Sequence, residues 1–245
     1  MSSRFLPRMV AVALFFLCAS LGHSQVQEQT EQLRIQIWAD LDAFPGLFGD
    51  EEKVPEEQYR RPEIASEFQM LYGFSIERAK QIAPFLMEGM IWGWNFEYTP
   101  YDKTRGVDEY FEYSEFHNLD TNVNPLKFVD PEIRDERLMV RVWCNRTREQ
   151  QAEYDRWMSI VHPHIKGVGE APVYEGFEGI KEAVGNSIKN AVREYWRGYL
   201  RNKPKEISGT VLLIRDPRIY IKNGRYVVDL DFFMETDRII EYTQF

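Results

Sequence analysis

Arg218-Ile-Tyr-Ile-Lys-Asn-Gly-Arg-Tyr-Val-Val-Asp-Leu-Asp-Phe-Phe233 is two short alternating runs joined by Asn223-Gly224. A two-residue hairpin of type I′ needs positive φ at both central residues, and Asn followed by Gly meets that need with the least strain. The pattern predicts one strand from Arg218 to Lys222 and a partner from Arg225 to Phe233. Just upstream, Ile207 to Ile214 reads as another strand, and Asp216-Pro217 breaks the chain before the hairpin. Before that lies the clearest helix, Phe177 to about Arg201. Its apolar stripe is Phe177, Ile180, Val184, Ile188, Ala191, Tyr195 and Tyr199, and Pro204 stops it. Lys181, Lys189, Arg193, Arg197 and Arg201 lie off the stripe. Their gathering toward the C-terminal half complements the negative end of the helix dipole, which gives the Arg series a structural explanation ahead of a phosphate-binding one.

Working toward the N-terminus, the period changes repeatedly. Glu136 to Asn145 alternates as a strand, and Thr147 with Gln150 forms a capping-box pattern for a helix reaching about His162. Trp92, Trp94, Phe96 and Tyr98 form the aromatic face of a strand, with Val107 to Phe116 as its pairing strand. Ile76, Ala79, Ala83, Leu86 and Met90 trace a helix capped by Ser75, with Pro84 expected to bend or split it. A preceding helix starts at Pro62, carries Ile64, Phe68 and Leu71, and stops at Gly73. Phe44 to Gly49 is a turn-rich loop, and Leu33 to Asp42 is the first strand, with Ile35, Ile37, Ala39 and Leu41 on one side. Asn118 to Asp135 lacks periodicity and is the weakest seam. This order of elements predicts an α+β fold: a mainly antiparallel sheet, helices packed on one face, and a C-terminal Asn-Gly β-hairpin. No repeat or low-complexity linker divides residues 25–245, so they are expected to form a single domain.

Residues 1–24 read differently. Arg4 and Arg8 charge the opening, Met9 to Gly22 is apolar apart from Ser20, and Gly22-His23-Ser24 places small residues where a signal peptidase cuts. This is the order of a secretory signal peptide, cleaved near Ser24. The apolar run falls short of the roughly 20 residues that span a bilayer, and Gln25 to Gln32 after it is polar. A periplasmic or secreted protein with no stable membrane span after cleavage is therefore expected. Leu17 before Cys18 is too bulky for the usual lipidation pattern. Loss of Arg4 and Arg8 takes the formal charge from −9 to −11. So acidic a chain, with no dense basic cluster, argues against nucleic acid as a partner.

Cleavage also removes Cys18 and leaves Cys144, which cannot form an internal disulfide and whose strand position suits a small buried hydrophobe. Asn145-Arg146-Thr147 matches a glycosylation acceptor that matters only in a eukaryotic host. No catalytic, metal or cofactor site is assigned. His162-Pro163-His164 lacks supporting ligand spacing and reads as solvated loop histidines. Gly167-Val168-Gly169 lacks the strand, helix and third glycine of a dinucleotide fingerprint and reads as a flexible connector. The pairs Asp40 with Asp42 and Asp229 with Asp231 have the spacing of solvated carboxylate rows on strands, although paired acids are also what a glycosidase uses.

Three stretches carry a likeness to known sequences: Leu86 to Trp94, Tyr98 to Phe111, and Ala191 to Tyr195 leading to Asn202-Lys-Pro-Lys-Glu206. They resemble a group of uncharacterised exported proteins of spirochaete-type bacteria. The resemblance implies a periplasmic address and transfers no functional residue.

The remaining candidate site is aromatic. Trp92, Trp94 and Tyr98 lie close in sequence to Tyr101, Asp102 and Arg105, a set able to stack on a sugar or peptide while polar groups orient it. Against this stands the ordinary role of strand aromatics as core. Two functions are carried forward: a non-catalytic module binding an envelope protein or glycan, and a carboxylate-dependent hydrolase acting on an envelope polymer.

Overall fold

A computed structural model of the protein describes residues 32–41, 67–200 and 202–242. Nine strands lie among them: β1 (Gln32–Asp40), β2 (Trp94–Thr99), β3 (Tyr110–Glu115), β4 (Lys127–Arg134), β5 (Arg137–Asn145), β6 (His164–Pro172), β7 (Glu206–Leu213), β8 (Arg218–Lys222) and β9 (Arg225–Ile240). Three α-helices join them: α1 (Glu67–Ile91), α2 (Arg148–Trp157) and α3 (Gly176–Tyr199). The expected leader, the 44–49 loop and the start of a helix at Pro62 lie outside the described residues. The fold is α+β, and every strand pairing is antiparallel.

Asn223 and Gly224 turn β8 into β9 with φ of 53° and 70°, as the sequence predicts. β9 then runs on to Ile240 and becomes the spine of the larger sheet, ordered β3-β2-β7-β9-β6 with β8 also paired to β9. The register brings Tyr98, Phe96 and Trp94 opposite Ile207, Gly209 and Val211. Val211 and Leu213 stand opposite Met234 and Phe232. Phe232, Leu230 and Val228 in turn stand opposite Ile165, Gly167 and Gly169. Residues two apart on a strand share a face, so these positions form one continuous inner face, and α1 and α3 pack on it.

The remaining strands make a second, smaller sheet, β1-β5-β4. Its inner positions Leu33, Ile35 and Ile37 pair with Cys144, Val142 and Val140, and all are buried. Cys144 is the buried strand thiol expected from sequence, and burial pushes its pKa up. α1 touches both β1 and β5 of this sheet and β7 of the larger one, tying the two together. α2 reaches the reverse face of the larger sheet, where Tyr154 meets Phe233 and Arg156 pairs with Glu235 at 3.4 Å.

Several local expectations change. α1 is one helix through Gly73, Ser75 and Pro84. The Ser75 hydroxyl does not start a helix; it donates 2.8 Å to the carbonyl of Asp40 and fixes α1 to the end of β1. Thr147 and Gln150 do form the reciprocal capping box, but α2 ends at Trp157. The apparent seam contains β4, which is almost wholly exposed and so lacks an apolar alternation. Pro131 is tolerated there because the edge strand bulges between Val129 and Glu132. Asp135 and Glu136 close the β4–β5 hairpin at positive φ without a glycine.

Gly167 and Gly169 are not a flexible connector. They lie in β6, and α3 crosses them so closely that an added Cβ would come 2.0 Å from the carbonyl oxygens of Ser187 and Ala183 respectively. Asn186 and Asn190 of α3 donate their side-chain amides to the carbonyls of Glu170 and Val168, at 3.0 and 2.8 Å. Gly169→Ala is therefore expected to destabilise the fold by about 2–4 kcal/mol, as overpacking against backbone does. Gly198→Ala, with no atom within 4 Å of the added methyl, serves as control and should be neutral or slightly stabilising. Urea denaturation of both variants checks this, and equal effects would refute the close-approach account.

Candidate functional site

β2 and β7 end side by side, with Tyr98 opposite Ile207. The chain leaving β2 makes a loop through Tyr101, and the chain entering β7 arrives from α3 through Lys203 and Pro204. Between these two connections and the last turns of α3 lies a cleft of about 500 Å³, within the range typical of small-molecule sites.

One wall is aromatic. Tyr98 and Tyr101 come from the β2 side and Trp196 from α3. Tyr98 is buried, and its hydroxyl donates 3.0 Å to Glu109 Oε1. Burial, followed by the charge of Glu109, pushes the Tyr98 phenol far up from its ordinary pKa, so it stays neutral and able to donate. Tyr101 is half exposed. Lys203 Nζ donates 2.6 Å to the Tyr101 carbonyl and lies 5.8 Å from its ring centroid, which fixes the loop against the α3–β7 connection.

The lining is also charged. Arg193 and Arg197 stand one turn apart on α3. Arg193 donates to Asn190 Oδ1 at 2.9 Å and lies 3.7 Å from Glu109 Oε1. Arg197 is largely exposed and lies 3.6 Å from Glu194. Among the described lining residues the cations are Arg193, Arg197 and Lys203, and Glu109 is the carboxylate.

The six residues expected from sequence divide among different environments. Tyr98 and Tyr101 line this cleft. Trp94 is fully buried, with ring centroids 5.1 Å from Phe85 and 6.3 Å from Tyr113, and belongs to the core. Trp92 lies beyond the strand at the end of α1, edge-on to His117 at 5.2 Å. Gly93, at φ of 80°, turns the chain between that helix end and β2. Asp102 shapes the loop: its carboxylate accepts the backbone N–H groups of Thr104 and Arg105 and the Arg105 guanidinium at 2.6 Å. The Arg105 bond above all holds the Asp102 carboxyl below its usual range. Arg105 itself covers the Tyr242 ring at 4.4 Å. Sequence reasoning did not include Glu109, Trp196 or Lys203 in the site, and it placed Arg193 and Arg197 on plain helix surface. The available signal was the i, i+4 spacing of the two arginines next to a half-aromatic helix end.

The other chemical candidates resolve structurally. Asp229 and Asp231 lie on the reverse face of β9 among cations: Asp229 is bonded to Arg218 and 3.1 Å from Lys166, and Asp231 is 2.7 Å from Arg215. They are ion-paired rather than a solvated row. Asp40 is 3.3 Å from Arg137, and Asp42 lies outside the described residues. His162 is not a solvated loop residue, because its side chain is buried against Trp157 at 4.8 Å between ring centroids. His164 is half exposed at the start of β6. No metal-holding cluster of His, Cys, Asp and Glu occurs among the described residues.

Glu88 is the strongest electrostatic anomaly. It is buried in α1, one turn before Trp92, and its Oε1 has no hydrogen-bond partner among the described residues. Desolvation first and the charge of Glu115 second raise its pKa from 4.5 to about 8, against a backbone hydrogen bond at Leu119 and the charge of Lys181. The folded protein thus keeps a proton that the unfolded chain loses. This contribution to stability is full below about pH 4.5 and is lost as pH rises through about 8. Glu88→Gln is expected to remove that decline and to be the more stable protein at pH 9 by roughly 1–3 kcal/mol. Denaturation midpoints of both proteins from pH 5 to 9 test this, and parallel pH profiles would overturn it.

A protein-family model matches residues 19–242. An uncharacterised protein of the spirochaete Treponema pallidum (strain Nichols) is 24% identical over 218 residues, which cover 86% of this chain and 82% of the relative. No solved structure matches the chain. Since the family model spans nearly all of the sequence, the chain belongs to that family, one of uncharacterised proteins of spirochaete type.

Proposed function

We propose that the protein is an exported, non-catalytic binding module of the cell envelope, freed from its leader near Ser24, with its ligand held in the cleft between Tyr101 and the end of α3. The observation that carries this reading is the cleft itself: a concave space with exposed aromatic surface and fixed polar groups, built where two connections meet the end of α3. The charged, apolar and small-residue zones of residues 1–24 support export to the periplasm or beyond. Among the described residues no helix is long and apolar enough to cross a membrane. The family and the Treponema relative fit a protein of spirochaete type and assign no activity.

Hydrolysis by a carboxylate pair draws on less. Glycosidases of the usual kind place two carboxyl groups across the scissile bond. Here Glu109 is the carboxylate among the described lining residues, and Tyr98 and Arg193 already engage it. Glu88 and Glu115 are electrostatically linked, but Glu88 is sealed in the core.

Two measurements test the proposal. Full-length protein produced in a Gram-negative host should appear in the osmotic-shock fraction with Gln25 as its first residue; intact protein starting at Met1 in the cytosol would refute export. Purified residues 25–245 should be retained on immobilised envelope extract, and Tyr101→Ala with Lys203→Ala should reduce retention about tenfold, as expected when a central aromatic contact and its support are lost. Unchanged retention of that folded double variant would remove the cleft from the binding site.

A further inference from the structure

We infer that the cleft selects a small acidic saccharide, a sugar ring carrying a carboxylate or phosphate group. This rests on the cleft being the ligand site and adds the chemistry of what enters it.

Charge reverses locally at the cleft. The whole chain carries a formal charge of −9, yet the described cleft lining holds Arg193, Arg197 and Lys203 against the single carboxylate Glu109. The helix dipole accounts for cations in the last turn of α3. It does not account for Lys203, which lies beyond the helix on the connection to β7. Nor does it account for the way these cations are held. Arg193 is oriented by Asn190 at 2.9 Å, and its contact to Glu109 is a loose 3.7 Å, leaving guanidinium donors free of close carboxylates among the described residues. Lys203 spends one donor on the Tyr101 carbonyl, and an ammonium group has three. Arg197 is mostly exposed and meets Glu194 at 3.6 Å, a contact weakened by water. Two cations held by hydrogen bonds, Arg193 and Lys203, with the exposed Arg197 beside them, keep donors to spare and form an anion-binding arrangement, and guanidinium groups suit carboxylate and phosphate oxygens in particular.

The rest of the ligand follows from the aromatic lining residues. Tyr101 presents a half-exposed ring, and Trp196 of α3 lines the same cleft. Aromatic faces pack on the C–H faces of sugar rings, while the Tyr98 hydroxyl oxygen, its hydrogen given to Glu109, and the Glu109 carboxylate offer acceptors for ring hydroxyls. A volume of about 500 Å³ holds a mono- or disaccharide. A bare inorganic anion would leave the aromatic wall unused, and a neutral sugar would leave the cations unused.

The test is titration of purified residues 25–245, followed by tryptophan fluorescence and calorimetry, with glucuronic acid, glucose 6-phosphate and glucose. The acid and phosphate arms separate carboxylate from phosphate sources of the same chemistry. At least one acidic sugar is expected to bind about tenfold or more tightly than glucose. Raising the salt from 0.05 to about 0.5 M should weaken it several-fold, because screening shortens to a few ångström. Arg193→Gln with Lys203→Gln should abolish the preference for the acidic sugar while leaving the circular dichroism spectrum and melting temperature near those of the wild type. Equal binding of glucose and the acidic sugars overturns the inference, and if Tyr101→Ala still weakens that binding, the cleft stands as the ligand site. Absence of binding by all three sugars also overturns it, while retention on envelope extract decides separately whether the cleft binds at all.

Discussion

The close seat of α3 on β6 determines where everything else can lie. At Gly167 and Gly169 the strand has no side chain on its inner face, and the helix backbone enters the space a Cβ would occupy. Ala171 continues the row of small residues. With helix and strand backbones in contact, the axis of α3 cannot shift without opening a gap along the whole core, and close-packed interiors resist such gaps. Asn186 and Asn190 add direction, because each satisfies a carbonyl on β6, so the helix is held both in depth and along the strand. Those amides also occupy groups on an edge strand that would otherwise invite pairing by another chain. From this anchor the helix runs to its last turns, which come to lie over the ends of β2 and β7. The cleft is the space left there.

The inner face of the larger sheet obeys the same logic of partition. Trp94, Phe96 and Tyr98 stand beside Ile207, Gly209 and Val211, and the first two rings are spent entirely on packing. Tyr98 is the last of the row, where the sheet ends, and its hydroxyl can reach a polar partner at the rim. One strand thereby supplies core at one end and a functional surface at the other. The reverse face follows a different rule: Asp229 and Asp231 are bordered by Lys166, Arg215 and Arg218, so this acidic pair, which invites a catalytic reading, is ion-paired.

Much of this fold was legible where one face of an element is buried and the other is wet. β1, β2, β5, β7, the hairpin and α3 all show their period in the residues themselves, and Asn223-Gly224 and the Thr147 capping box are local chemistry that tertiary structure did not need to alter. The failures have physical causes. β4 is exposed on both faces, so it has no apolar period to detect. β6 hides its inner face behind glycines, whose role depends on a helix that comes later in the chain. Gly73 reads as a stop, Ser75 as a cap and Pro84 as a bend or split, but packing of α1 between two sheets and the bond from Ser75 to Asp40 outweigh local propensity. The division into two sheets is likewise a matter of long-range pairing. For the site, sequence reached Tyr98 and Tyr101 through their place beside an aromatic strand, but it could not find Glu109, Trp196 or Lys203, which arrive from separate elements. Trp94 and Asp102 were attractive for their residue types and are used for packing and loop geometry instead.

The placement of the arginines shows how a structural preference becomes a chemical one. A helix C-terminus favours cations by a few tenths of a kcal/mol to about 1 kcal/mol each, wherever around the helix they lie. That term explains why basic residues are at the end of α3, but it is indifferent to which side they occupy. The side is set by the anchor on β6, which turns Arg193 and Arg197 toward the loop that carries Tyr101. Both stay open to solvent there, Arg193 about half and Arg197 mostly exposed, so water screens their loose contacts to Glu109 and Glu194. Lys203 then meets them from a connection with no dipole of its own to complement. Charges first tolerated as helix caps are thus concentrated, by a packing constraint some three turns away, into a site where an anion is the group that completes the electrostatics.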